Sequence, residues 1–179
     1  MLHIADDLTE RRFTFKDIKE ASSQAANYFK SLGIKKGDRV LLVLKRNYQF
    51  WHAILGLHKL GAVAIPATNQ LVVHDYEYRF NSAGVSAVIA TADGKATENI
   101  DVAQKNSPRL QIKFVANGKK DGWHNFDEEF GLFSRRFVRD DDTACGDDPM
   151  IMFFTSGTTG YPKIAVHSHK YPLGHFITA

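Results

Sequence analysis

The sequence predicts an α/β fold: a doubly wound parallel sheet with helices on both faces. Two observations carry that prediction. Short apolar runs alternate with helix-period segments, and several of those segments stop at a glycine, as in repeated β-α-β units. The run Val40–Leu44 is continuously apolar rather than alternating, as expected of a strand buried on both faces of a parallel sheet.

Along the chain, Thr14 with Asp17 three residues later marks a helix start. Apolar residues at Ile18, Ala21, Ala25, Ala26 and Phe29 continue that helix, and Gly33 stands just past its end. Gly37-Asp38 is a turn into the strand Val40–Leu44. Asn47 is placed to cap a second helix that runs through Leu60 and stops at Gly61. Ala62–Ile65 is the next strand, Asp75–Ala83 a third helix ended by Gly84, and Val85–Ala90 a further strand. A more polar helix then runs to about Asn106, followed by a strand over Ile112–Ala116.

Residues 118–148 read as an irregular, charged surface excursion, with Phe126, Phe130, Phe133 and Phe137 as its anchors to the core. Met150–Phe154 returns to the sheet, Lys163–Val166 forms a short strand, and a new element begins near Pro172.

The composition bounds the function. With 179 residues, 44 % hydrophobic and 24 % charged, the chain can build one real core. A net charge of +3, with basic residues in scattered pairs such as Lys35-Lys36 and Lys119-Lys120, argues against a nucleic-acid partner. No apolar stretch is long enough for a membrane span. The single Cys145 excludes an internal disulfide, which fits a reducing, cytoplasmic setting. Its acidic neighbours argue against a nucleophilic thiol.

The chemistry is concentrated after Phe154, in Thr155-Ser156-Gly157-Thr158-Thr159-Gly160-Tyr161-Pro162-Lys163. Glycines let a tight loop bring backbone N–H groups to phosphate oxygens, four hydroxyls add donors, and the lysine adds charge. In this fold ligands bind at loops leaving the carboxyl ends of strands, and the loop sits at such an end. The spacing is not that of the P-loop, which needs four residues between its glycines and a lysine directly after the second. For a bare Gly-Thr-Thr-Gly an unliganded turn is the better reading. The nine-residue string, with eight fixed positions, arises by chance on the order of 10⁻¹⁰ per start position.

Other candidates are weaker. His167 and His169, two apart, would share a face of a strand, but no Cys, Asp or Glu nearby completes a metal set. Consecutive Asp140–Asp142 cannot all face one cation and read as a solvated loop. Trp51, His52 and His58 read as packing and surface residues of a helix.

Thr155 through Lys163 resembles the phosphate-binding signature of the AMP-forming acyl-CoA synthetases, in the adenylate-forming superfamily. Phe13–Asp17, Leu32–Val40 and Leu57–Pro66 also resemble the N-terminal half of that family, so nearly the whole chain is covered. The likeness is to acetyl- and medium-chain acyl-CoA synthetases rather than to luciferases or peptide-synthetase modules. It implies a ligase that uses ATP with Mg²⁺ to turn a small-molecule carboxylate into acyl-AMP, then transfers the acyl group to coenzyme A. It implies phosphate contacts from Ser156, Thr158, Thr159 and Lys163, with Thr155, Gly157 and Gly160 shaping the loop. A histidine at the position of His169 is implied near the acyl site, where a structural role outweighs catalysis because no carboxylate partner is visible.

The same resemblance implies that residues 1–179 are a partial N-terminal domain ending just after the phosphate loop. The family's adenine-binding strand, metal-binding glutamate, ribose-binding aspartate and C-terminal domain with its lysine would lie further on. Complete members also usually begin further upstream. The expectation is a fragment without a catalytic residue of its own, inactive alone and prone to self-association. Two other classes stand beside it. One is a stand-alone binding or interaction module with the same fold. The other is a phosphotransfer enzyme using the loop, which would need a metal ligand and a base close by.

Overall fold

The computed structural model describes residues 1–140, 142–156 and 160–178. The chain opens with a hairpin the sequence did not announce, β1 (Leu2–Ile4) against β2 (Glu10–Arg12). Three-residue strands with so much charge carry no periodic signal.

Helix α1 (Phe15–Ser31) starts as expected: Thr14 Oγ1 accepts from the Asp17 amide at 3.1 Å, while the Asp17 carboxylate accepts from the Thr14 amide at 2.7 Å. Such reciprocal caps contribute about 1 kcal/mol. Then follow β3 (Arg39–Val43), α2 (Gln49–Leu60), β4 (Val63–Pro66), α3 (Val73–Ala83), β5 (Ala87–Thr91), α4 (Ala96–Gln104) and β6 (Ile112–Ala116). Asn47 is not the side-chain cap of α2. Its Nδ2 donates back to the Leu44 carbonyl at 3.2 Å, and the helix begins at Gln49 after an uncapped Tyr48. The turn after β3 takes up the asparagine, because its amide closes onto the end of that strand. Gly61 ends α2 as expected, with φ 79°.

The seven-stranded sheet has the order β7-β6-β5-β3-β4-β8-β9. The α3 crossover carries the chain over β3, from β4 on one side to β5 on the other. Adjacent residues of β3 serve opposite faces. Val40 and Leu42 pack with Tyr28, Phe29 and Leu57 of α1 and α2. Leu41 and Val43 pack with Tyr76, Phe80 and Ile100 of α3 and α4. This two-faced burial is why the run is continuously apolar.

The sheet is parallel from β7 to β8, but β9 (Lys163–Ser168) runs antiparallel to β8 (Pro149–Thr155). A parallel partner needs a long crossover, and seven residues can only turn the chain back.

The 118–148 excursion contains β7 (His124–Asn125), α5 (Phe126–Glu129) and a 3-10 turn at Phe130–Leu132. Phe126 is fully buried, and Phe130, Phe133 and Phe137 pack against the core as expected. Polar clamps add to them: Gln24 Nε2 donates to the carbonyls of Gly131 and Phe133, and Asn27 Nδ2 to those of Ser134 and Arg136. A final helix, α6 (Tyr171–Thr178), follows β9. No helix among the described residues is long and apolar enough to cross a membrane.

Candidate functional site

The β8–β9 hairpin holds the site. Met150 and Ile151 bury the start of β8 in the core, and exposure rises along the strand until Thr155 and Ser156 stand in solvent. A strand anchored at one end and open at its carboxyl end delivers its loop to the ligand-facing edge of the sheet. The ladder closes with Thr155 opposite Lys163. Residues directly opposite one another in an antiparallel pair share a face, so the threonine and lysine side chains leave the sheet on the same side. Thr155 Oγ1 also donates to the Lys163 carbonyl at 3.4 Å, tying the two limbs together at the mouth of the loop.

Ser156, Gly160 and Lys163 are all exposed. Gly160 has φ 114°, a conformation side chains rarely adopt, and a Cβ there would meet no atom within 4 Å. Glycine is thus required by the backbone rather than by crowding. Gly157, Thr158 and Thr159 lie outside the described residues.

Helix α3 supplies supports that the sequence did not reveal. The Tyr78 hydroxyl donates to the Pro162 carbonyl at 2.8 Å. Its ring stacks on Tyr161, with centroids 4.6 Å apart. The Arg79 guanidinium lies 5.0 Å from the centre of the Phe154 ring. Tyr78 and Pro162 are 84 residues apart, and no periodicity or short motif links positions at that distance.

The two histidines flagged together are separated. His167 lies on β9 against Tyr171, centroids 4.2 Å apart. His169 lies beyond the strand end and faces His58, centroids 5.9 Å apart. Burial holds His169 below its ordinary pKa. Burial, with the His169 charge second, pushes His58 down to about 4. No group of three metal-ligating side chains occurs among the described residues.

Three of the acidic residues around Cys145 are in ion pairs: Asp140 with Lys30 at 2.7 Å, Asp148 with Lys36 at 2.9 Å and Asp147 with Lys170 at 2.7 Å. These exposed pairs fit the solvated-loop reading. Asp141 lies outside the described residues. His52 is 4 % exposed and ringed by Phe13, Tyr48 and Phe130, a packing residue as expected. Trp51 is 48 % exposed.

A cleft of about 860 Å³ opens at the carboxyl ends of β3, β5 and β6. Lys45, ion-paired with Asp93, lines it together with Arg46 and Asp127, and among the described residues none of the β8–β9 hairpin does. Connections from the neighbouring strands β3 and β5 leave toward opposite faces here, which makes it the switch point of the sheet. Among the described residues, cleft and hairpin share no lining side chain.

Known proteins resemble the chain over this whole arrangement. The family model described as AMP-binding enzyme matches residues 3–178. The mitochondrial acyl-coenzyme A synthetase ACSM5 of Rattus norvegicus is 37 % identical over 171 residues, covering 93 % of this chain and 28 % of its own length. The 4-hydroxybutyrate–CoA ligase 1 of Metallosphaera sedula is 30 % identical over 172 residues, covering 95 % and 28 %. Among solved structures, the anthranilate CoA ligase AuaEII in complex with anthranoyl-AMP superimposes with a TM-score of 0.83 at 27 % identity, over 91 % of this chain and 31 % of that one. The chain thus spans a little over a quarter of the length of the curated relatives it matches.

Proposed function

Since the chain belongs to the AMP-binding enzyme family, we propose that it is the N-terminal part of an AMP-forming acid–thiol ligase. In the proposed reaction a carboxylate oxygen of a small organic acid attacks the α-phosphorus of ATP and expels pyrophosphate. The thiol of coenzyme A then attacks the acyl carbon of the acyl-adenylate and expels AMP. The ligase activity rests on the acyl-CoA synthetases and CoA ligases among its relatives. That residues 1–179 are only part of such a ligase is supported by the quarter of those relatives that the chain spans, and their N-terminal place by the resemblance of Phe13–Asp17, Leu32–Val40 and Leu57–Pro66 to the N-terminal half of the family.

The observation that carries the site is the pairing of Thr155 with Lys163 at the open end of β8, with Ser156 exposed beside them and Gly160 in its left-handed turn. In our reading Ser156, Thr158 and Thr159 donate hydroxyl hydrogen bonds to the β- and γ-phosphates. The Lys163 ammonium balances the charge that builds on pyrophosphate as it leaves. Thr155, Gly157 and Gly160 shape the turn. Fixed donors aimed at developing charge are commonly the largest catalytic contribution. ATP would carry Mg²⁺, but the described residues offer no cage of three metal ligands, so no step is assigned to the ion.

A reducing compartment is proposed on the single cysteine; the cytoplasm and the mitochondrial interior both qualify. For residues 1–179 alone we propose self-association, since β9 is an edge strand and α6 exposes Leu173, Phe176 and Ile177 at 72, 86 and 85 %.

The test compares two half-reactions of the full-length ligase carrying Lys163→Ala. Losing one charged contact of about 2–3 kcal/mol slows adenylation roughly 30- to 150-fold. Thioester formation from supplied acyl-adenylate involves neither the β- nor the γ-phosphate and stays near the wild-type rate. Equal losses in both would remove Lys163 from the phosphate site.

A further inference from the structure

We propose that Tyr78 is a positioning residue for the hairpin, holding the limb that presents Lys163. The functional part of this proposal rests on the phosphate-loop reading above.

Tyr78 touches both limbs. Its ring meets Phe154 of β8 edge-on, with centroids 6.1 Å apart and planes at 66°, and stacks on Tyr161 after the loop, with planes at 19°. Its hydroxyl donates to the Pro162 carbonyl. That carbonyl shares a rigid peptide plane with the amide of Lys163. The proline ring fixes its own φ and restricts Tyr161 before it to extended backbone. Orienting the Pro162 carbonyl therefore sets the direction in which the chain enters β9 and from which the lysine departs.

The arrangement is not explained by core packing. Tyr161 is 70 % exposed, so its ring buries little surface yet lies flat on Tyr78. Tyr78 itself stands on a braced helix. Arg79, the next residue, donates to the Asp75 carbonyl at 3.1 Å, pairs with the Asp75 carboxylate at 3.7 Å and covers the Phe154 ring. The Asp75 carboxylate in turn accepts from the Val72 amide at the start of α3. One turn of helix thus grips β8 before the loop and the returning chain after it.

The experiment uses the full-length ligase as wild type, Tyr78→Phe and Tyr78→Ala. Tyr78→Phe keeps the stack and removes the donor; Tyr78→Ala removes both. Hydrogen exchange is read at the amides of Tyr161 and of residues 163–166. Tyr78→Phe is expected to speed exchange there about 3- to 10-fold, the equivalent of one ordinary hydrogen bond, and Tyr78→Ala more. Amides of β3 and β5 should keep their wild-type rates. Unchanged exchange in Tyr78→Phe, or acceleration spread evenly through β3 and β5, overturns the positioning role.

Inorganic pyrophosphate is then titrated into each protein. Because apparent affinity scales with the fraction of chains holding the competent geometry, Tyr78→Ala should weaken binding several-fold and Tyr78→Phe less. Equal affinity in all three overturns the link from Tyr78 to Lys163. A wild-type chain that does not bind pyrophosphate refutes the phosphate-loop reading instead, and Tyr78 is then judged on exchange alone.

Discussion

Acidification should destabilise the fold well before its carboxylates titrate, because two imidazoles are held neutral inside it. His52 is 4 % exposed, and neither ring nitrogen has a hydrogen-bond partner among the described residues. Burial pushes it down to about 4, with the Asp127 charge pulling the other way. His58 is pushed to about 4 by burial first and the His169 charge second, despite a hydrogen bond to the Met150 backbone. Unfolded, each would titrate near its ordinary value of 6.5. Between 6.5 and about 4 the unfolded chain binds more protons than the folded one, so stability falls as pH falls through that window. Below it both states are protonated and the loss levels off.

From pH 7 to 4.5 the linkage integral gives about 2.4 kcal/mol per ring. Relaxation around the charged forms reduces this, so the pair should lose about 2–5 kcal/mol together, a large share of the roughly 5–15 kcal/mol typical of a domain. Asp93 and Asp148, held below their ordinary 3.8, stabilise above that value and lose the contribution below it, outside the window, while Glu129, lowered from 4.5, adds its loss only at the acidic end of the window. Urea unfolding at pH 7, 6, 5 and 4.5 measures the effect. His52→Leu should flatten the decline by about half. A stability constant from pH 7 to 4.5, or a decline identical in His52→Leu, would refute the reasoning.

Two further outcomes follow from packing. Gly61 ends α2 at φ 79°, and a Cβ there would lie 3.1 Å from Lys36 Cγ and 3.2 Å from Ala144 Cβ. Gly61→Ala should cost about 1–2 kcal/mol and lower the thermal midpoint by roughly 2–8 °C, read by calorimetry; an unchanged midpoint would contradict it. Replacing Phe176 and Ile177, both more than four-fifths exposed, by serine should reduce the rise of sedimentation-average mass with concentration. A monomeric wild-type chain at high concentration would dispose of the self-association proposal.

The sheet core was legible because its chemistry is local. Val40–Leu44 and Ala62–Ile65 are short apolar runs that a buried strand demands, and Thr14 with Asp17 and Gly61 mark helix ends within a few residues of themselves. The phosphate-loop string was equally visible. What escaped notice depends on partners remote in sequence or on very short elements. The Glu10–Arg12 strand exists only because Leu2–Ile4 pairs with it. Asn47 looked like a helix cap until the end of β3 claimed its amide. The antiparallel sense of β9 comes from the shortness of the connection, and Tyr78 reaches the hairpin only through the α3 crossover. The burial of His58 fits the packing role read from its helix, but its place beside His169, far along the chain, carries no local signal.

The central claim, that Thr155–Lys163 holds the phosphates of ATP for carboxylate activation, is tested most directly by exchange of labelled pyrophosphate into ATP. The full-length ligase should catalyse exchange only when a carboxylate substrate is present, and Lys163→Ala should slow it by at least roughly 30-fold. Exchange undiminished in Lys163→Ala, or no carboxylate-dependent exchange across a panel of short, medium-chain and aromatic acids, would contradict the account.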